Sequence, residues 1–246
     1  MDTSGSTTKY RTAAVLAAAG QGVRNESSTP KQFSELAGKP LYLWSLERLC
    51  ASDCIDLIVV AVPSESIHDV QKQVQDLSCS KPIHVIAGGA TRQLSVYQGL
   101  TYLENIMKPV DSMTLALVHD AARPFLNKTL IANIVTAAAN FGAVTASIPV
   151  ADTIKRVSHS VITETLDREH LSLVQTPQAA RLDWLIEAHL HAIKHGINTT
   201  DDAAILEKFG KKVHTVAGSP FNIKITTPAD MELAVLLAQS PLCAFE

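Results

Sequence analysis

Short apolar runs alternate with longer stretches of helical period along most of this chain, and no other feature constrains its fold as strongly. The runs have the length of buried strands and the stretches between them have the length of helices, which is the pattern of βα units around a mostly parallel sheet. The predicted strands cover residues 13–17, 57–62, 83–86, 114–118 and 143–149. The predicted helices cover residues 41–50, 65–77, 92–104, 128–140, 182–195, 201–209 and 228–237. The sequence therefore predicts one α/β domain over residues 1–246, with a Rossmann-like, mostly parallel sheet flanked by helices.

Three of the predicted helices follow residues that favour a helix start. Ser64, Thr91 and Asn127 each precede a helix, and each has a side-chain oxygen that can accept a hydrogen bond from the first turn. These caps support the helix predictions independently of the apolar periodicity.

Residues 150–175 depart from the βα pattern. The segment is polar and rich in β-branched residues, with an alternating character, and it contains little that could form a buried core. A projecting two-stranded β-arm fits this pattern, and such a ribbon is only marginally stable alone in water. We therefore expect the arm to pack against a second copy of the chain, which predicts a homodimer.

The charge balance argues against a general nucleic-acid binder. The chain has 21 basic and 24 acidic residues, a net charge of -3 and 5% aromatic residues, whereas nucleic-acid binding requires a basic excess and aromatic side chains that stack on bases. No apolar run reaches the ~20 residues that a membrane-spanning helix needs. The four cysteines lack the spacing of a zinc site or a disulfide framework, which predicts reduced thiols in a cytoplasmic protein.

A glycine loop follows the first predicted strand and could hold a polyphosphate. Gly20 and Gly22 leave backbone N–H groups free to face an anion, and Arg24 and Lys31 add positive charge. The loop is not a complete dinucleotide fingerprint, because Asn25 stands where that motif needs a small residue. The sequence predicts a triphosphate cradle, and a tight turn with solvated cations is the alternative.

A second candidate site lies where the predicted strand 114–118 ends. Asp120 and Arg123 follow this strand, and the carboxyl ends of the strands line the ligand crevice of an open α/β sheet. Asp120 could bind Mg²⁺ together with substrate phosphates, and Arg123 could bind an anionic substrate. The alternative is a turn in which the two side chains only pair with each other.

Two further segments are expected at the same crevice. Gly88 and Gly89 precede the predicted helix 92–104 and allow the close approach of a base or ribose. Lys224 stands on an alternating stretch, 222–226, that we predict to be a strand. Its side chain either extends to solvent or points into the crevice.

The sequence lacks a motif for covalent catalysis. It contains no Gly-x-Ser-x-Gly elbow, and none of its cysteines has the local context of a nucleophile. A reaction at these sites would therefore depend on binding and charge.

Nine motifs, in order between about residues 12 and 238, resemble those of 2-C-methyl-D-erythritol 4-phosphate cytidylyltransferases. They are Ala17-Ala-Ala-Gly-Gln-Gly-x-Arg24, Pro30-Lys-Gln-Phe33, Gly88-Gly-x-x-Arg92-x-x-Ser-Val96, His119-Asp-Ala-Ala-Arg-Pro124, Asp152-Thr-x-Lys155, Asp167-Arg168, Gln175-Thr-Pro-Gln178, Thr200-Asp201 and Asn222-Ile-Lys-x-Thr226. The resemblance implies a nucleotide-diphospho-sugar-transferase-like fold, a homodimer with interlocked arms and a cytoplasmic step of the non-mevalonate isoprenoid route. In that step CTP and 2-C-methyl-D-erythritol 4-phosphate give the CDP-linked product and pyrophosphate, with Mg²⁺ or another divalent cation as cofactor.

The resemblance also implies roles for individual residues. Those that would contact the nucleotide are Ala18, Ala19, Gly20, Gly22, Gly89, Ser95 and Ala121. Those that would act in catalysis are Arg24, Lys31, Arg168 and Lys224. Those that would bind the polyol phosphate are Asp120, Arg123, Thr153, Arg168 and Lys224. Thr153 and Arg168 would come from the arm of the partner, and Asp120 would also hold the metal ion.

Three positions depart from the usual pattern of that family, namely Leu94, Asp202 and Asn25. They bear on the contacts around the ribose and on loop packing, so nucleotide affinity could differ while the reaction stays the same. Two other functions remain open from the sequence alone. A ribitol-5-phosphate cytidylyltransferase would share the nucleotide half, and a non-catalytic nucleotide-binding module would keep the fold without the reaction.

Overall fold

The computed structural model describes residues 10–20 and 31–240, which are organised around a seven-stranded sheet. The strands in chain order are β1 (Arg11–Ala17), β2 (Glu35–Leu36), β3 (Lys39–Pro40), β4 (Leu57–Val62), β5 (Ile83–Ala87), β6 (Thr114–Asp120), β7 (Ala143–Pro149), β8 (Lys155–Ser158), β9 (Val161–Thr165), β10 (Ser172–Arg181) and β11 (His214–Ala217). The order across the main sheet is β11-β7-β10-β6-β1-β4-β5. The short strands β2 and β3 pair with each other, and so do β8 and β9.

All five strands predicted between residues 13 and 149 belong to the main sheet, and the α/β architecture with a mostly parallel sheet is confirmed. β1 pairs in parallel with β4 and β6, β4 pairs in parallel with β5, and β7 pairs in parallel with β11. Every residue of β4 and β6 is buried, which is typical of strands covered on both faces. β6 extends beyond the predicted end at residue 118, so His119 and Asp120 lie within the strand.

Two strands of the main sheet were not predicted. β10 lies antiparallel between β6 and β7, and β11 lies at the edge beside β7. The polar residues Gln175, Thr176 and Gln178 of β10 are buried and form side-chain hydrogen bonds, and a bulge interrupts the pairing at this point. The predicted end of the arm at residue 175 is wrong, because residues 172–175 pair with β7 in the main sheet.

The seven predicted helices are present, α1 with the predicted ends and the other six with shifted ends. They are α1 (Leu41–Cys50), α2 (Ile67–Gln75), α3 (Arg92–Ile106), α4 (Lys128–Phe141), α5 (Leu182–Lys194), α6 (Asp202–Lys208) and α7 (Pro228–Ala238). Thr91 and Asn127 cap α3 and α4 as predicted, since each side chain accepts a backbone N–H of the first turn. The cap predicted at Ser64 is wrong, because a 3-10 turn over Ser64–Ser66 precedes α2. No helix within residues 10–20 and 31–240 has both the length and the apolar character needed to cross a membrane.

Helices cover both faces of the sheet, as alternate residues of β1 demonstrate. Ala14 and Leu16 belong to one buried cluster with residues of α1 and α4. Ala13 and Val15 belong to a second cluster with residues of α3 and α5. Because successive side chains of a strand point to opposite faces, the sheet lies between two helical layers. Polar loops are therefore left at its carboxyl edge.

The β8–β9 hairpin occupies the centre of the predicted arm. All of its residues are exposed, including the large apolar side chains of Val157, Val161 and Ile162. A cross-strand ion pair joins Arg156 Nε to Glu164 Oε2 at 2.8 Å. The packing of this hairpin against a second copy stays a prediction.

Candidate active site

The carboxyl edge of the sheet brings together the loops after β1, β5 and β6. Asp120 is the last residue of β6, and Gly88 directly follows β5. Backbone hydrogen bonds hold the loops in place, with Ala121 N–H donating to Ala17 O at 3.1 Å and Gly88 N–H donating to Val62 O at 2.7 Å. The candidate residues on these loops therefore meet at one edge, as expected for an open α/β sheet.

Asp120 lies between two cations. Its Oδ1 accepts from Arg92 Nε at 2.8 Å, and its Oδ2 accepts from Lys224 Nζ at 2.7 Å. Burial alone would raise the pKa of Asp120, but the charges and hydrogen bonds of Arg92 and Lys224 outweigh burial and hold this pKa well below its usual value. The carboxylate is thus ionised at neutral pH, and each of its oxygens is oriented by one cation.

Lys224 points into the site, which decides between the two orientations considered for it. The segment that carries it is not a strand, so that prediction was wrong. Asn222 Nδ2 donates to Thr176 O at 2.7 Å, and Ile225 N–H donates to Ala122 O at 2.9 Å. These two hydrogen bonds attach the segment to β10 and to the loop after β6. The alternation of polar and apolar residues over 222–226 therefore reflects contacts with these neighbours and not strand pairing.

Arg92 is the residue of the site to which the sequence assigned no role. Its guanidinium bridges two carboxylates, because Nη2 donates to Asp202 Oδ2 at 2.8 Å while Nε contacts Asp120. Burial would lower the pKa of Arg92, but Asp202 and Asp120 raise it above its usual value. Arg92 is the first residue of α3, where the helix dipole disfavours a cation. That mismatch is the signal that could have identified it.

Arg123 is placed to bind an anion. Its Nη1 donates to Asn222 O at 2.8 Å, and its Nε is buried with no hydrogen-bond partner among the described residues. Burial lowers the pKa of Arg123 from its usual value. The guanidinium lines the cleft and hydrogen-bonds Asn222, which favours a ligand-binding role over the self-paired turn, because charged donors bind carboxylates and phosphates strongly.

A buried hydrogen-bond frame supports the turn that carries Asp120 and Arg123. Arg123 O can only accept, so His119 Nε2 carries the proton and donates to it at 3.0 Å. Nδ1 of the neutral ring then accepts from the Thr176 hydroxyl at 3.1 Å, and Thr176 Oγ1 accepts from Asp120 N–H at 3.1 Å. Burial lowers the pKa of His119 to about 4, which keeps the imidazole neutral as this frame requires.

A cleft of about 210 Å³ opens beside these residues. It is lined by Arg92, Asp120, Arg123, Val174, Gln175, Thr176, Gln178, Thr200, Asp201 and Lys224. Three of these side chains are cationic and two are acidic, which leaves one net positive charge. Such a lining suits a small ligand that carries both an anionic group and hydroxyl groups.

The paired glycines after β5 pack closely against neighbouring loops. A Cβ on Gly88 would lie 2.3 Å from Ala19 Cβ, and a Cβ on Gly89 would lie 2.5 Å from Leu94 Cβ. Both positions therefore need glycine. A Cβ on Gly20 would meet no described atom within 4 Å, so the described residues leave the space beside Gly20 open.

Four of the predicted nucleotide-binding residues are buried, namely Ala18, Ala19, Ser95 and Ala121. Ser95 Oγ accepts from Gly89 N–H at 3.1 Å and donates to Thr91 O at 2.8 Å. Ser95 thus holds the Gly89 loop in its conformation. A nucleotide at this edge would meet mainly backbone groups.

The structure does not bring every predicted site residue to the cleft. Thr153 and Arg168 are exposed and do not line it, and Arg168 Nη1 donates to Ala151 O within its own segment. Three predicted positions lie outside the described residues, namely Gly22, Arg24 and the side chain of Lys31. The predicted triphosphate cradle is therefore described only at its first glycine.

Asp120 is the residue of the cleft that suits a divalent cation best. Among the described residues, no group of three or more His, Cys, Asp or Glu side chains is arranged to hold a metal ion. A single carboxylate is nevertheless a sufficient protein contribution where substrate phosphates supply further ligands to Mg²⁺. Each oxygen of Asp120 accepts one hydrogen bond from a cation and retains acceptor capacity. The donor set thus fits a Mg²⁺ ion that arrives with a triphosphate.

Several proteins similar to this chain carry the same name. The family model of 2-C-methyl-D-erythritol 4-phosphate cytidylyltransferase matches residues 12–239. Proteins of that name from Bacillus mycoides and Pelotomaculum thermopropionicum are 38% and 42% identical over 220 and 226 residues, which cover 89% and 91% of this chain and 94% and 92% of theirs. The crystal structure of the enzyme of that name from Thermus thermophilus superposes with a TM-score of 0.74 at 32% identity, covering 92% of this chain and 98% of that one.

Proposed function

The chain belongs to the 2-C-methyl-D-erythritol 4-phosphate cytidylyltransferase family, and we propose that the cleft beside Asp120 binds the polyol phosphate of its reaction. In this nucleotidyltransferase reaction CTP and 2-C-methyl-D-erythritol 4-phosphate give 4-diphosphocytidyl-2-C-methyl-D-erythritol and pyrophosphate, a step of isoprenoid precursor biosynthesis. The observation that carries the placement is the ionised Asp120 carboxylate, held between Arg92 and Lys224 at the carboxyl edge of the sheet.

The proposed polyol site uses charge of both signs. An ionised carboxylate only accepts hydrogen bonds, so Asp120 suits the hydroxyl groups of a polyol. Lys224 and Arg123 suit the phosphate group, because each has donors beyond those used in its present contacts. The cleft lining has one net positive charge, and a phosphate dianion would exceed it. We therefore propose that cations from outside the cleft neutralise the remaining charge of the phosphate.

The nucleophile is the phosphate of the substrate. Its second pKa is near ~6, so it is largely ionised at neutral pH and needs no side-chain base. Its attack on the α-phosphorus of CTP brings two anions together and leaves charge on pyrophosphate. Positioning and positive charge must therefore supply most of the rate enhancement.

The nucleotide is proposed to bind at the loops after β1 and β5. The described residues leave the space beside Gly20 open, and the Gly89 loop is packed against Leu94 and held by Ser95. Ala18, Ala19, Ser95 and Ala121 shape these loops from within. Arg24 and Lys31 are proposed to stabilise the triphosphate, with Gly22 contributing backbone donors.

A divalent cation, Mg²⁺ in the simplest case, is proposed as the cofactor. Asp120 would hold it, and when bound it would neutralise charge on the triphosphate. Arg92 and Lys224 contribute by keeping Asp120 ionised and oriented before either substrate arrives.

A homodimer formed through the β8–β9 hairpin is part of the proposal. Val157, Val161 and Ile162 expose apolar side chains on the hairpin, and Leu173 and Val174 expose more at the start of β10. A two-stranded ribbon of this size is marginally stable alone, so a second copy of the chain is its natural partner. Thr153 and Arg168 would then reach the polyol phosphate bound to the partner.

Replacing Arg168 by Ala is expected to raise KM for 2-C-methyl-D-erythritol 4-phosphate about tenfold or more, because a hydrogen bond to a charged group contributes about 1.5–3 kcal/mol. KM for CTP should change much less. Steady-state kinetics with each substrate varied in turn would measure both values. Arg156→Ala is the matched control, since Arg156 also lies on the exposed segment but pairs with Glu164. A larger effect on KM for CTP would contradict the proposed role.

A cytoplasmic location is also proposed. Cys50, Cys54 and Cys79 are free cysteines. Free thiols are typical of proteins in reducing compartments, and this supports the proposal.

The function is tested by pyrophosphate release from the purified chain. We expect release that requires CTP, a divalent cation and 2-C-methyl-D-erythritol 4-phosphate together. Ribitol 5-phosphate at the same concentration should give little release, and a preference for it would contradict the assigned substrate. Absence of release with either polyol phosphate would contradict enzymatic function altogether.

A further inference from the structure

A buried pair behind the cleft, His189 and Asp202, is not explained by the proposed substrate contacts. We propose that both are positioning residues: His189 orients the Asp202 carboxylate, and Asp202 orients the Arg92 guanidinium that holds Asp120. This inference rests on the proposed role of Asp120 in binding the polyol phosphate. It adds to the site two residues that do not line the cleft.

Asp202 has a separate partner for each carboxylate oxygen. It is the first residue of α6 and is fully buried. Oδ2 accepts from Arg92 Nη2 at 2.8 Å, and Oδ1 lies 3.1 Å from His189 Nε2. Burial alone would raise the pKa of Asp202, but the charge of Arg92 and the hydrogen bond from His189 lower it to about 2. Loss of either partner would leave a buried anionic oxygen unpaired, which is costly.

His189 makes one hydrogen bond that accounts for its presence in the core. It lies on α5 and is fully buried, and its ring stacks on Tyr97 with centroids 6.4 Å apart. Because a carboxylate only accepts, Nε2 carries the proton and donates to Asp202. Nδ1 is buried and finds no hydrogen-bond partner in the part of the chain that the structure describes. An apolar residue would avoid that unpaired nitrogen, so packing alone does not explain a histidine here.

The backbone of Asp202 is fixed independently by β10. Gln178 Oε1 accepts from Asp202 N–H at 2.9 Å and from Ala203 N–H at 2.8 Å. Gln178 Nε2 donates to Asp201 Oδ2 at 2.9 Å. With its backbone held at the start of α6, the remaining freedom of Asp202 is the rotation of its carboxylate. His189 restricts that rotation.

The rigid guanidinium of Arg92 transmits the orientation of Asp202 to Asp120. Nη2 contacts Asp202 and Nε contacts Asp120, and both nitrogens belong to one planar group. A rotation of Asp202 therefore turns the guanidinium and moves Nε relative to Asp120. The chain of contacts from His189 to Asp120 is contiguous, so a change at α5 reaches the substrate site without any direct contact.

The test compares two substitutions of His189 in the full chain. His189→Leu removes the donor at similar size, and we expect kcat/KM for 2-C-methyl-D-erythritol 4-phosphate to fall about 10- to 100-fold, the usual loss when a supporting hydrogen bond to a functional group is removed. His189→Gln retains an N–H donor that can reach Asp202, and it should recover most of the lost kcat/KM.

Leu185→Ala is the control for a purely structural effect. Leu185 is also buried on α5 and packs in the same core. This variant should lower the thermal unfolding midpoint at least as much as His189→Leu while kcat/KM of the folded enzyme stays at the wild-type value. Normal kinetics for His189→Leu would overturn the inference, and so would an equal loss for His189→Gln and His189→Leu.

Two further outcomes are also decisive. Should His189→Leu fail to fold, Asp202→Asn serves instead, because it keeps the size of the side chain and removes the charge that Arg92 contacts; a wild-type kcat/KM for this variant would overturn the inference. Inactive wild-type enzyme would contradict the proposed function instead, so failure of the two ideas is distinguishable.

Discussion

Replacing Asp120 by Asn is expected to lower kcat/KM for 2-C-methyl-D-erythritol 4-phosphate about 10²- to 10³-fold and to reduce the free energy of unfolding by about 3 kcal/mol. The substitution keeps the size of the side chain but removes the anion that Arg92 and Lys224 contact. The amide also directs N–H groups toward a cation and toward the hydroxyl groups of the substrate. Most of the lost stability comes from Arg92, because the Lys224 side chain is 43% exposed and water screens its pairing.

Steady-state kinetics with each substrate and urea-induced unfolding measure the two effects separately. Asp53→Asn is the matched control, because Asp53 is an exposed carboxylate in the loop between α1 and β4. It should leave both kcat/KM and the free energy of unfolding unchanged. An Asp120→Asn enzyme with wild-type kcat/KM would show that the polyol phosphate binds elsewhere.

The main elements of the fold could be predicted because the residues of each element show its burial pattern on their own. β4 is apolar at every position, since a strand covered by helices on both faces has no solvent side. Thr91 and Asn127 predict their helix starts because a capping side chain accepts a hydrogen bond from a backbone N–H only three residues farther along the chain. Such local signals need no knowledge of the tertiary structure.

β10 could not be predicted because its burial depends on partners from distant parts of the chain. Gln175 contacts Ser219, and Gln178 contacts Asp201. Hydrogen bonds of this kind make the burial of polar side chains tolerable, and single-sequence patterns do not reveal them. The strand predicted at 222–226 failed for a related reason, since Ile223 and Ile225 pack in a cluster with residues of α1, α7 and the loop after β6 and not in the sheet.

The position of the candidate site could be predicted from the sequence, but the ion pairs within it could not. Asp120 and Arg123 line one cleft, as their place after a predicted strand indicated, and Lys224 lines it too although its predicted strand is not formed. The partners of Asp120 are 28 and 104 residues away along the chain, and neither contact has a local signature. The resemblance to a family supplied roles for many residues but assigned none to Arg92, whose contacts with Asp120 and Asp202 became evident only in three dimensions.

Replacing Lys31 by Ala is expected to lower kcat about 10²- to 10³-fold, on the precedent of other lost electrostatic donors at a reacting centre. The α-phosphorus accepts a dianionic nucleophile while charge accumulates on the departing pyrophosphate. The described cleft has one net positive charge and is proposed to bind the polyol phosphate. Cations proposed for the triphosphate, Arg24 and Lys31, must therefore neutralise the leaving group.

The measurement is kcat with CTP, with Lys212→Ala as the matched control, because Lys212 is an exposed lysine that does not line the cleft. KM for 2-C-methyl-D-erythritol 4-phosphate should change little in Lys31→Ala, since this substrate is proposed to bind at Asp120. A wild-type kcat would exclude Lys31 from charge stabilisation. A fall in kcat that exceeds any rise in KM for CTP indicates that the lost charge acts on the transition state more than on the bound nucleotide. That difference separates a catalytic lysine from one that only attracts CTP.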